Sequence, residues 1–437
     1  MSPRLSLLVL LLFSPVVHGA DWPQYRGPNR DGVSTEPGLF KTWPADGPKR
    51  AWMIDTLGEG FSGPAVVGDG VFILGTADGQ EVALRLNART GKVLWKTAVG
   101  PVFKNSYGNG PRSTPTVAGD TVFALGSGGM LYALDAATGK SRWQVHLRTD
   151  LAGKLMKGNI IDVDWGFSES PLVDKDRVIV TPGGKDGTLA ALDRATGKVV
   201  WRSKELVDNG SYASLGRAEI AGVAQYVVLT GGIEKSIGLL LKEPPKLAGV
   251  AAADGKLLWS FAPNYGGAAL AVTPIWTADG AYCSLPYGAG CARVTVQNDN
   301  GKWQAKKAFA NKVMKNYHGG VVRVGDALYG FSEGTGWVAQ DWKTGDELWS
   351  HKGTPGKGSL VAVGDSLILV TEDGGVFLAD ASPKGWNDRG KFRLPDVSPA
   401  RKANGQIGVH TPPVVANGRL YVRDQELLSC YEVGAGK

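Results

Sequence analysis

Cysteine, methionine and histidine are scarce in this 437-residue chain, at three, five and five residues. The three cysteines, Cys283, Cys291 and Cys430, form neither a Cys-x-x-Cys pair nor a Cys-x-x-Cys-His run, which excludes zinc-ribbon and haem-attachment motifs. Beyond residue 20 no apolar stretch reaches the roughly 20 residues that a membrane-spanning helix needs. Basic residues are scattered rather than gathered into a block with interleaved aromatics, so the formal charge of +7 reads as a solvated surface and no nucleic-acid partner is expected. Neither a Gly-x-Ser-x-Gly elbow nor a phosphate loop is present, which removes the specific signals for a hydrolase or a nucleotide-binding protein.

What is abundant is glycine, at 62 residues, together with 14 tryptophans. That profile belongs to many short strands joined by tight turns rather than to helices. The first twenty residues have the form of a signal peptide. Arg4 precedes an apolar run from Leu5 to Val17, and Gly19 and Ala20 offer a small-residue cleavage point before Asp21. Export to the periplasm or exterior is therefore expected, with a product that does not span the membrane. In such a compartment Cys283 and Cys291, which flank a hairpin-like Ser-Leu-Pro-Tyr-Gly-Ala-Gly, can form a disulfide; free buried thiols are the alternative.

The chain repeats itself. One clear unit runs from Ser113-Thr-Pro115 through three alternating apolar runs to Thr138-Gly139-Lys140 and Trp143. Alternation over strand-length runs predicts a sheet with two distinct faces. Similar closing phrases lead to Trp95, Trp201, Trp259 and Trp349, with a degenerate copy at Trp303 and a further candidate at Trp386. From Trp52 the spacings are 43, 48, 58, 58, 44 and 46 residues, each near one four-stranded blade. Openings near 62, 113, 170, 221, 273, 319, 359 and 411 predict an all-β, eight-bladed β-propeller of four-stranded antiparallel blades. Seven blades is the alternative, because the copy near Ala221 lacks Ser-Pro. The last unit has no closing tryptophan, and the orphan strand around Trp52 can supply it. This divides the chain into a signal peptide at 1–20, an N-terminal extension at 21–49, a propeller at 50–432 closed by pairing 50–56 with 411–432, and a tail at 433–437. Trp52, Trp95, Trp143, Trp201, Trp259, Trp303 and Trp349 are expected as structural girders, each packing on the neighbouring blade.

The phrase Leu-Asp-x-x-Thr-Gly-Lys-x-x-Trp, at Leu134 to Trp143 and Leu192 to Trp201, resembles the repeat of pyrroloquinoline-quinone (PQQ) dehydrogenases and their relatives. Asp21-Trp-Pro-Gln-Tyr-Arg-Gly-Pro-Asn-Arg-Asp-Gly32 resembles the N-terminal signature of exported PQQ-like propeller proteins abundant in planctomycetes. The resemblance implies eight blades with tryptophan docking. It spans both quinoprotein oxidoreductases and the propeller lipoprotein of the barrel-assembly machinery, a docking scaffold. The adjacent cysteine pair that alcohol-oxidising quinoproteins place against PQQ is absent. The expected function is thus a non-catalytic binding or docking scaffold of the envelope, monomeric, with an envelope protein or small polar ligand as partner. A PQQ- and calcium-dependent oxidoreductase is the alternative, and a carbohydrate-binding or carbohydrate-active propeller the second. No cofactor is expected outside the first alternative.

Residues just before each opening phrase should converge on one mouth of the central channel. They include Arg112, Glu169, His318, Lys357 and His410, an ionisable set suited to a small anionic or polyhydroxy ligand or a peptide segment. The competing reading is mutual neutralisation around a water-filled channel. No metal is expected; a set of His318, His410 and Glu169 is the weaker alternative. Asp162, Asp164 and Glu169 also form an acidic cluster beside Trp165, most simply a solvated loop.

Overall fold

The unit from Ser113 to Trp143 shows how the repeat folds. In the computed structural model, which describes residues 19–157, 164–234, 241–264 and 270–434, its runs become four antiparallel strands. These are Thr116–Ala118, Thr121–Leu125, Met130–Asp135 and Ser141–His146. Gly119 takes φ 61° in the first hairpin, a left-handed conformation that glycine adopts without steric cost. The Asp135 carboxylate accepts from the N–H groups of Ala137 and Thr138, so the Asp-x-x-Thr-Gly phrase is a turn tied by its own side chain. The second strand is buried throughout, because blades flank it on both faces.

Eight such sheets are present. Blades 1 to 7 span residues 65–101, 116–146, 172–202, 216–261, 275–311, 321–351 and 358–393. Blade 8 takes Val414–Ala416, Arg419–Asp424 and Leu427–Glu432 from the C-terminal end and Arg50–Ile54 from the N-terminal side as its outermost strand. Trp52 lies opposite Cys430 in that pairing. The fold is an eight-bladed, all-β propeller, which removes the seven-bladed alternative. Ala221 does not open blade 4. It sits with φ 49° in the hairpin between Gly216–Ile220 and Val223–Leu229, so that blade starts earlier than its sequence phrase suggests.

Tryptophan and glycine join successive blades. Trp52, Trp95 and Trp143 donate their indole N–H to the carbonyls of Ala88, Ala136 and Arg194 in the next blade, at 2.9, 3.0 and 3.0 Å. Each ring lies on the turn glycine of that blade. A Cβ added at Gly91, Gly139 or Gly197 would come within 2.9, 2.7 and 2.7 Å of the ring of Trp52, Trp95 or Trp143. Trp201 lies on Gly255 in the same way, a Cβ there falling 2.4 Å from its ring. Trp349 donates to Ser382 O at 2.8 Å, while Trp259 turns inward to Gln225 within its own blade.

Trp303 departs from its expected place. It pairs with Asn298 near a hairpin tip, and Phe309, opposite Arg293 just after the same strand irregularity that precedes Trp95 and Trp201, lies over Gly345 instead. Blade 5 has a longer closing strand, so the aromatic nearest the turn is not the docking one. In blade 7 the equivalent strand position is Gly390, against which the backbone of Trp43 from the N-terminal extension packs, its backbone N–H bonded to Arg389 O, while Phe392 lies over the turn glycine Gly47. Trp386 stacks on His351 in a loop and closes no blade.

A second set of joints rings the channel. The N–H of Gly63 is accepted by the Thr114 hydroxyl, that of Thr114 by Ser170, and that of Ser170 by Ser214. The hydroxyl residues of the opening phrases therefore clasp blade to blade. The N-terminal segment fills the channel between blades 1 to 3 on one side and 6 to 8 on the other. Trp22 bridges Val66, Pro23 O accepts from Val117, and Val33–Ser34 runs parallel to Ala362–Val363. Arg30, 2 % exposed, donates to Ser170 O and Pro171 O at 2.7 and 3.0 Å, and Arg26 donates to Val321 O. The Trp-Pro-Gln-Tyr-Arg-Gly-Pro-Asn-Arg phrase is thus a channel plug.

The Cys283–Cys291 disulfide does not form. Both thiols are free and buried. Cys283 faces Ala292 and Cys291 faces Ser284 across the hairpin, one residue out of step, so the two side chains enter different interblade cores. Residues 1–18, most of the expected signal peptide, and 435–437 of the tail lie outside the described residues. Among those described, no helix is long and apolar enough to cross a membrane.

Candidate functional site

Strand direction decides which residues meet. Each inner strand starts at the same end of the ring, and the hairpin between the second and third strands returns to that end. Residues from both places line a cavity of about 430 Å³, within the size range of small-ligand sites. Arg112, Ser168, His318, Lys357 and His410 enter it from the starts of inner strands, and Glu372 enters from a second-to-third hairpin. Tyr25 of the plug contributes to the wall, as do Phe61, Tyr107, Trp165, Tyr212, Tyr287 and Tyr317.

Glu169 is not with them. It is 1 % exposed and turned into the blade wall, where its carboxylate accepts the Thr181 N–H at 2.5 Å. Ser168 faces the cavity, and its neighbour must point the other way. Burial pushes the Glu169 carboxyl up to about 7, against the lowering effects of the Thr181 bonds and the Arg30 charge. Of the acidic cluster, Asp164 pairs with Arg148 at 2.9 Å, and Asp162 lies outside the described residues.

The centre of the cavity is Glu372, which the position rule misses because it sits in Thr371-Glu372-Asp373-Gly374 between strands. One oxygen, Oε1, lies 2.9 Å from His318 Nε2, 3.7 Å from His410 Nε2 and 3.4 Å from Lys357 Nζ. Burial acts to raise the Glu372 carboxyl, but the His318 hydrogen bond and the His318, Lys357 and His410 charges outweigh it and hold the group at about 2. Burial, with His318 and Lys357 nearby, pushes His410 down to about 3 despite Glu372, leaving a neutral imidazole at physiological pH. The two histidine rings stand 4.5 Å apart, and Phe61 stacks on His410 at 5.7 Å.

Arg112 is held differently. Its Nη atoms donate to Gly110 O and Gly108 O at 2.7 and 2.8 Å, and its guanidinium lies over the rings of Phe61 and Phe103. Burial lowers it to about 10, with Glu81 opposing, so it stays charged at the rim. Lys357 lies 4.6 Å over the Tyr317 ring and 4.0 Å from Glu333. The site thus combines aromatic faces, two cations, one carboxylate and two imidazoles. It can stack a ring-shaped ligand and bind its charged or hydroxyl groups.

The family model PQQ_2, described as outer membrane protein assembly factor BamB, matches residues 41–163, 79–260 and 239–384. Outer membrane protein assembly factor BamB of Burkholderia pseudomallei is 32% identical over 222 residues, 42% of this chain and 55% of that protein. The chain spans about half the length of that relative. The solved structure of BamB from Moraxella catarrhalis superposes with a TM-score of 0.57 at 17% identity, over 89% of this chain and 98% of the other. Quinohemoprotein alcohol dehydrogenase from Comamonas testosteroni superposes with a TM-score of 0.60 at 14% identity, over 95% and 81%. At such identities the two structures show a shared fold alone. The sequence match covers most of the repeat region, and this chain belongs to the PQQ_2 family of BamB-like β-propellers.

Proposed function

We propose that this chain is an exported, non-catalytic binding propeller of the cell envelope, whose mouth takes a small polar ligand, anionic or polyhydroxy, or a segment of an envelope protein bearing such groups. The observation that carries this reading is the mouth itself. Aromatic faces surround a charged centre above a channel filled by the N-terminal plug. A ring-shaped polyhydroxy ligand stacks on Tyr, Trp and Phe faces while its oxygens meet the polar centre. Four of the sequence relatives are named as assembly factors for outer membrane proteins, which supports docking, and three, matched over a smaller share of their own length, are named as dehydrogenases.

The quinoprotein alternative needs PQQ held with calcium. Calcium takes six to eight oxygen ligands, whereas the described mouth lining contains one carboxylate, Glu372, already engaged by His318 and Lys357. The three cysteines are buried within blades rather than at the mouth. These residues do not fit that pair.

An array of acidic and neutral glycans and of carboxylate-bearing peptides tests the reading, with Arg112→Ala beside the unaltered chain. Saturable binding that weakens about tenfold or more in the variant supports it, the loss expected when a charged hydrogen-bond donor is removed. Binding by the chain that Arg112→Ala leaves unchanged would place recognition elsewhere.

A further inference from the structure

We propose that His318, Glu372 and His410 form a binding site for a divalent transition-metal ion, with the open side of its coordination sphere facing the mouth. The donor atoms of the three side chains, two imidazole nitrogens and a carboxylate oxygen, all lie within 4.8 Å of one another. Tetrahedral zinc bonds of 2.0–2.1 Å place neighbouring donor atoms roughly 3.3 Å apart. The two measured histidine-to-carboxylate separations, 2.9 and 3.7 Å, fall on either side of that value. The third separation, between the two imidazole nitrogens, extends to 4.8 Å, so side-chain rotations that bring the two rings together by roughly 1.5 Å close the set around an ion.

The donor chemistry selects the class of metal. Calcium and magnesium prefer all-oxygen shells, and two imidazoles with one carboxylate suit zinc and its first-row neighbours. Three protein ligands leave at least one position free, and the cavity lies on that side. Two neutral imidazoles and one carboxylate leave a bound divalent ion with one net positive charge. The free position therefore suits a carboxylate or hydroxyl oxygen of a ligand in the mouth.

Lys357 is the competing cation. It lies 3.4 Å from the Glu372 oxygen that the metal would take. It also has somewhere to go, because the Glu333 carboxylate lies 4.0 Å from Nζ and the Tyr317 ring 4.6 Å from it. The lysine and a metal ion thus share one carboxylate, and the lysine yields it when the ion arrives.

The three residues come from separate places, before blade 6, in a hairpin of blade 7 and before blade 8. Packing of these three consecutive blades side by side brings them together. The assignment does not depend on the ligand reading above: metal binding is measured with the ion alone, and ligand binding can be measured after chelation.

The test uses the untagged, full mature chain, stripped with a chelator and titrated with zinc by competition against a chromophoric chelator. Cobalt titration gives an independent spectroscopic readout. One zinc ion per chain at micromolar affinity or tighter is expected, with an intense visible cobalt band of low-coordinate geometry. His318→Ala, His410→Ala and Glu372→Gln should each weaken zinc more than the 10–100-fold typical of outer-shell changes. His351→Ala, on the outer histidine stacked on Trp386, should leave zinc unchanged. Lys357→Met should bind zinc severalfold more tightly. Unaltered circular dichroism and melting temperature identify the variants that fold, and Glu372→Gln, the most conservative, keeps the test open if a histidine variant does not. Absence of one-site zinc binding, or its survival in Glu372→Gln, would overturn the assignment, as would weaker binding by Lys357→Met.

Discussion

Trp95 lies face-down on Gly139, and a methyl group at that glycine would meet the indole at 2.7 Å. Its N–H bonds to Ala136 O, three residues before the glycine. The Thr-Gly-Lys phrase of one blade and the tryptophan of the previous blade are therefore two halves of a single joint.

Gly139→Ala should destabilise the fold by about 2 kcal/mol or more, from backbone strain at φ 72° together with displacement of the ring. Gly68→Ala is the comparison. Its φ is 56°, but no atom lies within 4 Å of the added methyl, so it carries backbone strain of about 1 kcal/mol alone. Urea unfolding of both measures the joint as their difference, and equal losses would contradict the docking account.

Stability should fall as pH rises through neutrality because of Glu169. Its folded pKa, about 7, lies above the ordinary carboxyl value of 4.5 because it is buried. A group that holds its proton more tightly when folded stabilises the fold below about 4.5, and that contribution is lost as pH rises through 7. The loss is roughly 3 kcal/mol. Glu169→Gln keeps an acceptor for Thr181 N–H and removes the titration, so its unfolding free energy should be flatter between pH 4.5 and 7.5. Parallel curves for the two proteins would contradict the burial argument.

Arg30 should prove to be the anchor of the channel plug. Arg30→Ala leaves the Ser170 carbonyl unpaired in the interior and Pro171 O with the Thr116 hydroxyl alone, at a cost of about 2 kcal/mol. It also removes the positive charge that acts on Glu169, so the pH window of the previous prediction should move upward in this variant. Limited proteolysis should then cut within residues 19–34 sooner than in the unaltered chain. Unchanged cleavage would show that Trp22 and Val33 hold the segment without it.

The fold is legible in the sequence because the joints are written into each repeat. Tryptophan, turn glycine and opening hydroxyl recur at fixed intervals, and each has one structural partner. Legibility fails where a repeat changes length. Blade 5 extends its last strand, so Phe309 takes the position that spacing gives to Trp303. Blade 7 has glycine at that position, Gly390, so Phe392 two residues further on takes the docking role over Gly47.

The mouth is legible in the same partial way. Arg112, His318, Lys357 and His410 share a position before an inner strand, and all line the cavity. Glu169 shares that region but lies one residue further on than Ser168, which reverses its face. Glu372 belongs to a different loop class, and its signal is available only once second-to-third hairpins are assigned to the same end as the strand starts. The disulfide fails for a related reason: a one-residue offset across a hairpin separates Cys283 from Cys291 more completely than their spacing suggests.

On the proposed reading this quinoprotein-like propeller serves binding without redox turnover. Adding PQQ and calcium to the purified chain, and following both bound chromophore and reduction of an artificial electron acceptor with alcohol and sugar substrates, tests it most directly. No stoichiometric quinone binding and no dye reduction above the protein-free rate are expected. One quinone per chain with substrate-dependent dye reduction would contradict it.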